Sequence, residues 1–136
     1  MEKQIQVIVE LSIVSGKLGD VKQQIPALVQ MVKMTESECI SYEWFLNEEK
    51  NKCYILEGFS NSEALLAHLI NVGPSLPALF ANAPITRWEI FGDLSAEVRD
   101  AILPIGAVNN IAPFISRSVV GFNRQNKVEE LTAGHS

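Results

Sequence analysis

The sequence predicts an α+β domain in the order β-α-β-β-α-β, in which a four-stranded antiparallel sheet carries helices on one face. Three observations predict it. Residues 5–13 and 85–91 alternate apolar with polar side chains. Residues 39–59 hold two more alternating runs joined by a short polar loop, the pattern of a hairpin. One further stretch repeats apolar residues every three or four positions, as helices do, and a capping box marks the start of a second helix.

In the first strand, residues 4–14, the side chains Ile5, Val7, Val9, Leu11 and Ile13 form one wholly apolar face, and Ile8 stands on the other. Ser15-Gly16-Lys17 breaks the strand. Val21, Ile25, Leu28 and Val32 then give the stripe of an amphipathic helix over Leu18 to Glu36, where Pro26 predicts a kink or a regular part that begins beside it. Ile40, Tyr42, Trp44 and Leu46 alternate with Ser41, Glu43, Phe45 and Asn47 in the second strand. Glu48 to Lys52 turn the chain, and Cys53 to Phe59 return it. Ser60-Asn61-Ser62-Glu63 reads as a capping box of the Ser60 hydroxyl and the Glu63 carboxylate, so a helix begins near Asn61. Gly73-Pro74 ends that helix and starts a short one, Ser75 to Asn82. Ile85 to Gly92 is the fourth strand, with Arg87, Glu89 and Phe91 in one phase and Thr86, Trp88 and Ile90 in the other.

Beyond this unit, Ser95 caps a helix holding Val98, Ile102 and Leu103, which Pro104 and Gly106 are expected to end. Ile111 to Phe122, interrupted by Pro113, forms a short strand or an arm lying on a partner subunit. The domain is therefore placed at 1–122, followed by a flexible tail at 123–136.

At 136 residues, 47% hydrophobic and 20% charged, the chain is expected to form one domain with a real core. A net charge of −5, with Lys and Arg scattered singly, offers no basic stripe for a phosphate backbone, so nucleic acid is not expected as a partner. The N-terminal residues lack the pattern of a signal peptide, and no apolar stretch approaches the ~20 residues of a membrane helix. A cytoplasmic protein without a membrane partner is expected. Cys39 and Cys53 are expected to be thiols, although a disulfide across the hairpin is geometrically conceivable, and their spacing is not that of a zinc site. Four strands with apolar character on both faces cannot be covered by two helices, so a second copy packed sheet to sheet is expected, giving a homodimer.

His68 is the first candidate for chemistry, since histidine exchanges a proton near neutrality and here stands among Leu65, Leu66, Ala67, Leu69 and Ile70. The plain alternative is a buried histidine bonded to the backbone. Tyr42, Trp44 and Trp88 share a phase within their strands and, with Tyr54, could wall a pocket for a planar ligand or simply pack the core or a dimer seam. Glu43 and Glu57 lie on adjacent hairpin strands, where two carboxylates act as acid and base or form ion pairs with Arg87 or a lysine. No Gly-rich phosphate loop, clustered Cys/His or H-E-x-x-H motif occurs, so no metal, nucleotide or flavin is expected.

The residues SYEWF, YILEGF followed by S-x-S-E-A-L, and the helix segment A-H-L resemble the antibiotic-biosynthesis monooxygenase family. The resemblance, which extends more loosely from Ile5 to Asp93, implies a ferredoxin-like protomer and a dimeric α+β barrel. It also implies oxidation of a small electron-rich aromatic (a quinol, phenol or anthrone) by molecular oxygen with no cofactor. On that resemblance His68 acts as base or hydrogen-bond partner, Tyr42 and Trp88 position the ring, and Trp44 walls the pocket. A non-catalytic ligand-binding barrel is the alternative, and a haem-binding or haem-degrading protein, with His68 on iron, is the third reading.

Overall fold

The structure, a computed structural model, describes residues 4–124. The tail predicted at 123–136 lies, but for its first two residues, outside the described residues. β1 (Ile5–Ser12) is the centre of the sheet, paired antiparallel with β3 (Lys52–Phe59) on one side and β4 (Ile85–Phe91) on the other. β2 (Cys39–Asn47) pairs antiparallel with β3 through the expected hairpin, with Asn51 at φ 52° in its turn. The alternation read in β1 decides which face meets the helices: Ile5, Val7, Val9 and Leu11 are buried, whereas Gln6 is exposed. α1 (Leu18–Thr35), α2 (Ser62–Val72) and α3 (Leu76–Asn82) cover that face, with a single 3-10 turn, Gly73–Ser75, between the last two. Val21, Leu28 and Val32 of α1 are the residues it buries, as the stripe requires.

The fold is the expected ferredoxin-like α+β arrangement, but the sheet has five strands and is mixed. β5 (Phe114–Ser116) runs parallel to β4, making the order β2-β3-β1-β4-β5. The reason is α4 (Ala96–Asn109), which turns the connection from β4 into a helical crossover, and a crossover delivers the next strand parallel. Pro104 and Gly106 do not end α4, contrary to expectation; it runs on to Asn109. Pro104 removes one N–H, yet both it and Asp100, whose carbonyl loses its partner, are exposed, so water can serve that carbonyl. Pro26 is accommodated in α1 in the same way, opposite exposed Lys22.

α4 ends at Asn110, which is left-handed at φ 54°, and the Ile111 N–H then donates to the Gly106 carbonyl at 2.9 Å. A Cβ at Gly106 would stand 2.5 Å from the Ile111 carbonyl oxygen, so glycine is what lets the chain fold back there. Gly106→Ala should therefore destabilise the protein by about 1–3 kcal/mol. Urea denaturation reads this directly, and an unchanged midpoint would show that the return loop yields freely.

The α2 start differs from the capping box by one residue. Asn61 is the cap, accepting from the Ala64 N–H at 2.9 Å, and Ser62 Oγ accepts from the Ser95 N–H at 2.7 Å. Ser60 and Asn61 are both competent caps, and packing on the sheet chose between them. Cys39 and Cys53 are both free. They lie opposite Phe59 and Leu46, at the two ends of the hairpin and roughly 20 Å apart at the strand rise, which rules out the disulfide.

One expectation about membranes needs correction. Ser62–Asn82 is a 21-residue helical run of mean hydropathy 1.5, long and apolar enough to cross a membrane by length and composition. The 3-10 turn at Pro74 interrupts it, and Ala64, Leu65, Val72 and Leu79 belong to the core under the sheet.

Candidate acid–base site

The site grows from three elements that converge on the covered face of the sheet. The Asn61 cap sets the rotation of α2 so that Ala64, Leu65, His68 and Val72 face the strands. β3 presents Glu57 in the same phase as Ile55, opposite Tyr42 of β2 and Val7 of β1. α1 ends at Thr35, and Glu36, the next residue, turns its carboxylate under α2.

His68 lies between the two carboxylates. Its Nδ1 is hydrogen-bonded to Glu36 Oε1 at 2.8 Å, and its Nε2 stands 3.8 Å from Glu57 Oε1. The side chains of all three residues are less than one-tenth exposed. Asn71, one turn beyond His68 on α2, donates to Glu36 Oε2 at 2.7 Å and to Thr35 Oγ1 at 2.9 Å, which fixes the outer carboxylate. The imidazole is further held by rings: Phe59 at 5.0 Å and Tyr42 edge-on at 5.3 Å between centroids.

Burial is what tunes this group of residues. It pushes the Glu57 carboxyl up to about 7, with the Glu36 charge adding to the rise and the His68 charge opposing it. For His68 burial acts downward, but the hydrogen bond it donates to Glu36 and the charges of Glu57 and Glu36 outweigh it and raise the pKa. Burial also lifts the Tyr42 phenol well above its usual range, helped by Glu57, so it stays an O–H donor. The result is a carboxyl that titrates near neutrality beside an imidazole whose protonated form is favoured. Glu36 and Glu57 sit on opposite sides of the ring and cannot converge on one ion. Among the described residues no group of three or more His, Cys, Asp or Glu could hold a metal.

Glu57 and His68 open onto a cavity of about 50 Å³ between the sheet and the helices, whose other walls are apolar, among them Val9, Trp88, Leu69 and Ile102. His68 and Trp88 therefore meet at one cavity. Tyr42 stands behind the imidazole, and Trp44 packs edge-to-face on Tyr42 at 6.2 Å, one step farther out. The Trp44 indole N–H is buried and has no hydrogen-bond partner among the described residues. Glu43 and Glu57 do not form the carboxylate pair that their strands suggested: Glu43 is paired with Leu56 on the opposite face. The expected ion pair of Glu57 with Arg87 is absent too, since the Arg87 Nε binds Glu89 at 2.6 Å. Sequence reasoning missed Glu36 and Asn71. Each looks like a surface residue in its own helix, and only the packing of α1 on α2 brings them to His68.

The antibiotic biosynthesis monooxygenase family model matches residues 4–71, half of the chain. The protein belongs to the antibiotic biosynthesis monooxygenase family. The matched stretch contains all three members of the Glu36–His68–Glu57 group. Solved structures share the fold. MupZ from Pseudomonas fluorescens superposes with a TM-score of 0.73 at 21% identity, covering 93% of each chain. A Caulobacter crescentus protein that carries the family's name superposes at 0.57 with 19% identity, over 65% of this chain and 86% of its own. Rv0793 from Mycobacterium tuberculosis does so at 0.58 with 14% identity, over 68% and 97%. No curated protein matches the chain. The match supports a general function of this family's type, and α3, β4, α4 and β5 lie beyond the matched segment.

Proposed function

We propose that this family member is a cofactor-independent monooxygenase in which the Glu57–His68 pair deprotonates a small electron-rich aromatic (a quinol, phenol or anthrone) for reaction with molecular oxygen. The observation that carries the reading is the buried Glu57 carboxyl, pushed up to about 7 and 3.8 Å from His68 Nε2, at the wall of an otherwise apolar cavity. A base with a pKa near the operating pH is half-available as carboxylate and still strong enough to take an acidic phenolic or benzylic proton. The imidazolium, held by Glu36, faces the anion that results. Such an anion is electron-rich enough to give an electron to oxygen. The balance closes without a reductant: a ring methylene and O2 become C=O and water, a phenol and O2 become a quinone and water, and a hydroquinone and O2 become a hydroxyquinone and water.

In this reading Trp88 walls the ring, Tyr42 braces His68 with its ring and keeps its phenol protonated, and Trp44 backs Tyr42. The apolar cavity keeps water from the anion. Haem is a poorer fit, because the lining of the His68 cavity includes no Arg or Lys to meet its propionates. Oxygen uptake by purified protein against hydroquinones and anthrones, with a chelator present, tests the proposal. Uptake that persists in chelator supports it, and none across the panel reassigns the chain as a ligand-binding barrel.

The same reading includes a homodimer in the cytoplasm. The uncovered face of the sheet carries Phe45, Leu56, Phe91 and Phe114, all exposed, together with half-buried Ile8 and Tyr54, an apolar surface suited to a second copy. Free thiols are in keeping with a reducing compartment. Leu56→Asp at the middle of that face should convert a dimer to a monomer in sedimentation. A wild-type monomer at micromolar concentration would refute the assembly.

A further inference from the structure

The helical side of the domain carries a second concavity. It is a groove of about 420 Å³ between α2–α3 and α4, with no charged or hydrogen-bonding side chain in its lining. Its rim is unusually apolar for a surface: Ile70 is 70% exposed and Val108 is 74% exposed. Its floor is formed by Leu69, Leu76, Phe80 and Ile105, and these same four residues form the outer wall of the cavity at His68. A single layer of side chains thus separates the groove from the acid–base pair.

Volume makes this arrangement meaningful. The inner cavity, at about 50 Å³, is smaller than the 150 Å³ or so that accepts a benzene ring. A ligand that reaches Glu57 and His68 must therefore displace part of its wall, and the thin wall is the one shared with the groove. We infer that the groove between α2–α3 and α4 is the entrance and binding site for the apolar body of the substrate, whose ionisable head passes between Leu69, Leu76, Phe80 and Ile105 to the Glu57–His68 pair. The substrate class that follows is an amphiphile: one ionisable ring carrying an uncharged alkyl or fused-ring extension. This rests on the proton-transfer reading of the site. The groove's α3 and α4 walls lie outside the segment that the family model matches.

Gly73 lines the groove at φ −44°, and a Cβ there meets nothing within 4 Å, so Gly73→Phe fills the groove without backbone strain. Ala101→Leu fills it from the α4 side. Calorimetric binding without oxygen, using hydroquinones with alkyl chains from methyl to hexyl, is the test. In the wild type, affinity should rise about fourfold for each methylene that becomes fully buried. Both variants should lose that gain, the longer homologues binding them no more tightly than methylhydroquinone does. An equal gain in the variants, no gain in the wild type, or no binding at all overturns the inference. So does a variant that changes the oligomeric state, for then the groove belongs to a second copy. Chain-length gain without oxygen uptake supports the groove and refutes the oxidation, whereas uptake of methylhydroquinone with no gain does the reverse.

Discussion

His68→Gln should lower turnover by at least about a hundredfold while leaving the fold intact, since a positioned acid–base group contributes roughly 10²–10⁴. His68 touches each feature that makes the site: the Glu36 hydrogen bond, the Glu57 neighbour and the cavity. Glutamine retains a donor for Glu36 but cannot carry charge. Alanine is the harsher test, because it also strands a buried carboxylate and loses ring contacts with Phe59 and Tyr42, costing on the order of 3 kcal/mol in addition to activity. The pair of variants separates the roles: loss of turnover in His68→Gln, with a melting temperature that stays above that of His68→Ala, marks chemistry. Unchanged turnover in His68→Gln would reduce His68 to a core histidine.

Glu57→Gln should remove most of the pH dependence of stability between about 4.5 and 7. Glu57 has a folded pKa near 7 against an ordinary 4.5, so over that interval the folded state binds the proton and the unfolded state releases it. Stability therefore falls as pH rises through the window, by an amount on the order of 3 kcal/mol if the whole shift is expressed. His68 acts in the same direction but higher up. Its raised pKa contributes stability that is full below about 6.5 and fades as pH rises through the folded value. Thermal melts of wild type and variant from pH 4.5 to 8 distinguish the two groups. The wild type should lose stability from the bottom of the range, whereas the variant should be flat until the histidine titrates. Parallel curves would mean that Glu57 is ionised throughout. In the activity assay the same variant should lose the neutral-pH limb of the rate profile, since glutamine cannot accept a proton.

Much of the fold was legible because burial writes itself into sequence at short range. Val7, Val9 and Leu11 alternate since one sheet face is dry, and Val21, Leu28 and Val32 recur since one helix stripe is dry. The errors fall where two local signals compete. Ser60 and Asn61 both cap helices. Pro104 and Gly106 both break them, yet α4 continues because the disturbed carbonyl faces water and because Gly106 is spent on a close approach to Ile111. The parallel β5 was open, strand or arm, since three residues carry too little alternation to decide.

The sequence by itself determined the order of elements, the wholly apolar face of β1, the place of His68 on an apolar helix and the likeness to the family. Those depend on neighbours within a turn or a strand, where periodicity and residue chemistry act directly. Only the tertiary structure decided what His68 is bonded to. Glu36 is 32 residues away in the chain, and Glu57 reaches the imidazole through its strand register, which put it beside Tyr42 and sent Glu43 to the other face. The raised Glu57 carboxyl likewise has no local signature, because desolvation is a property of everything packed around a group and not of the residue that carries it.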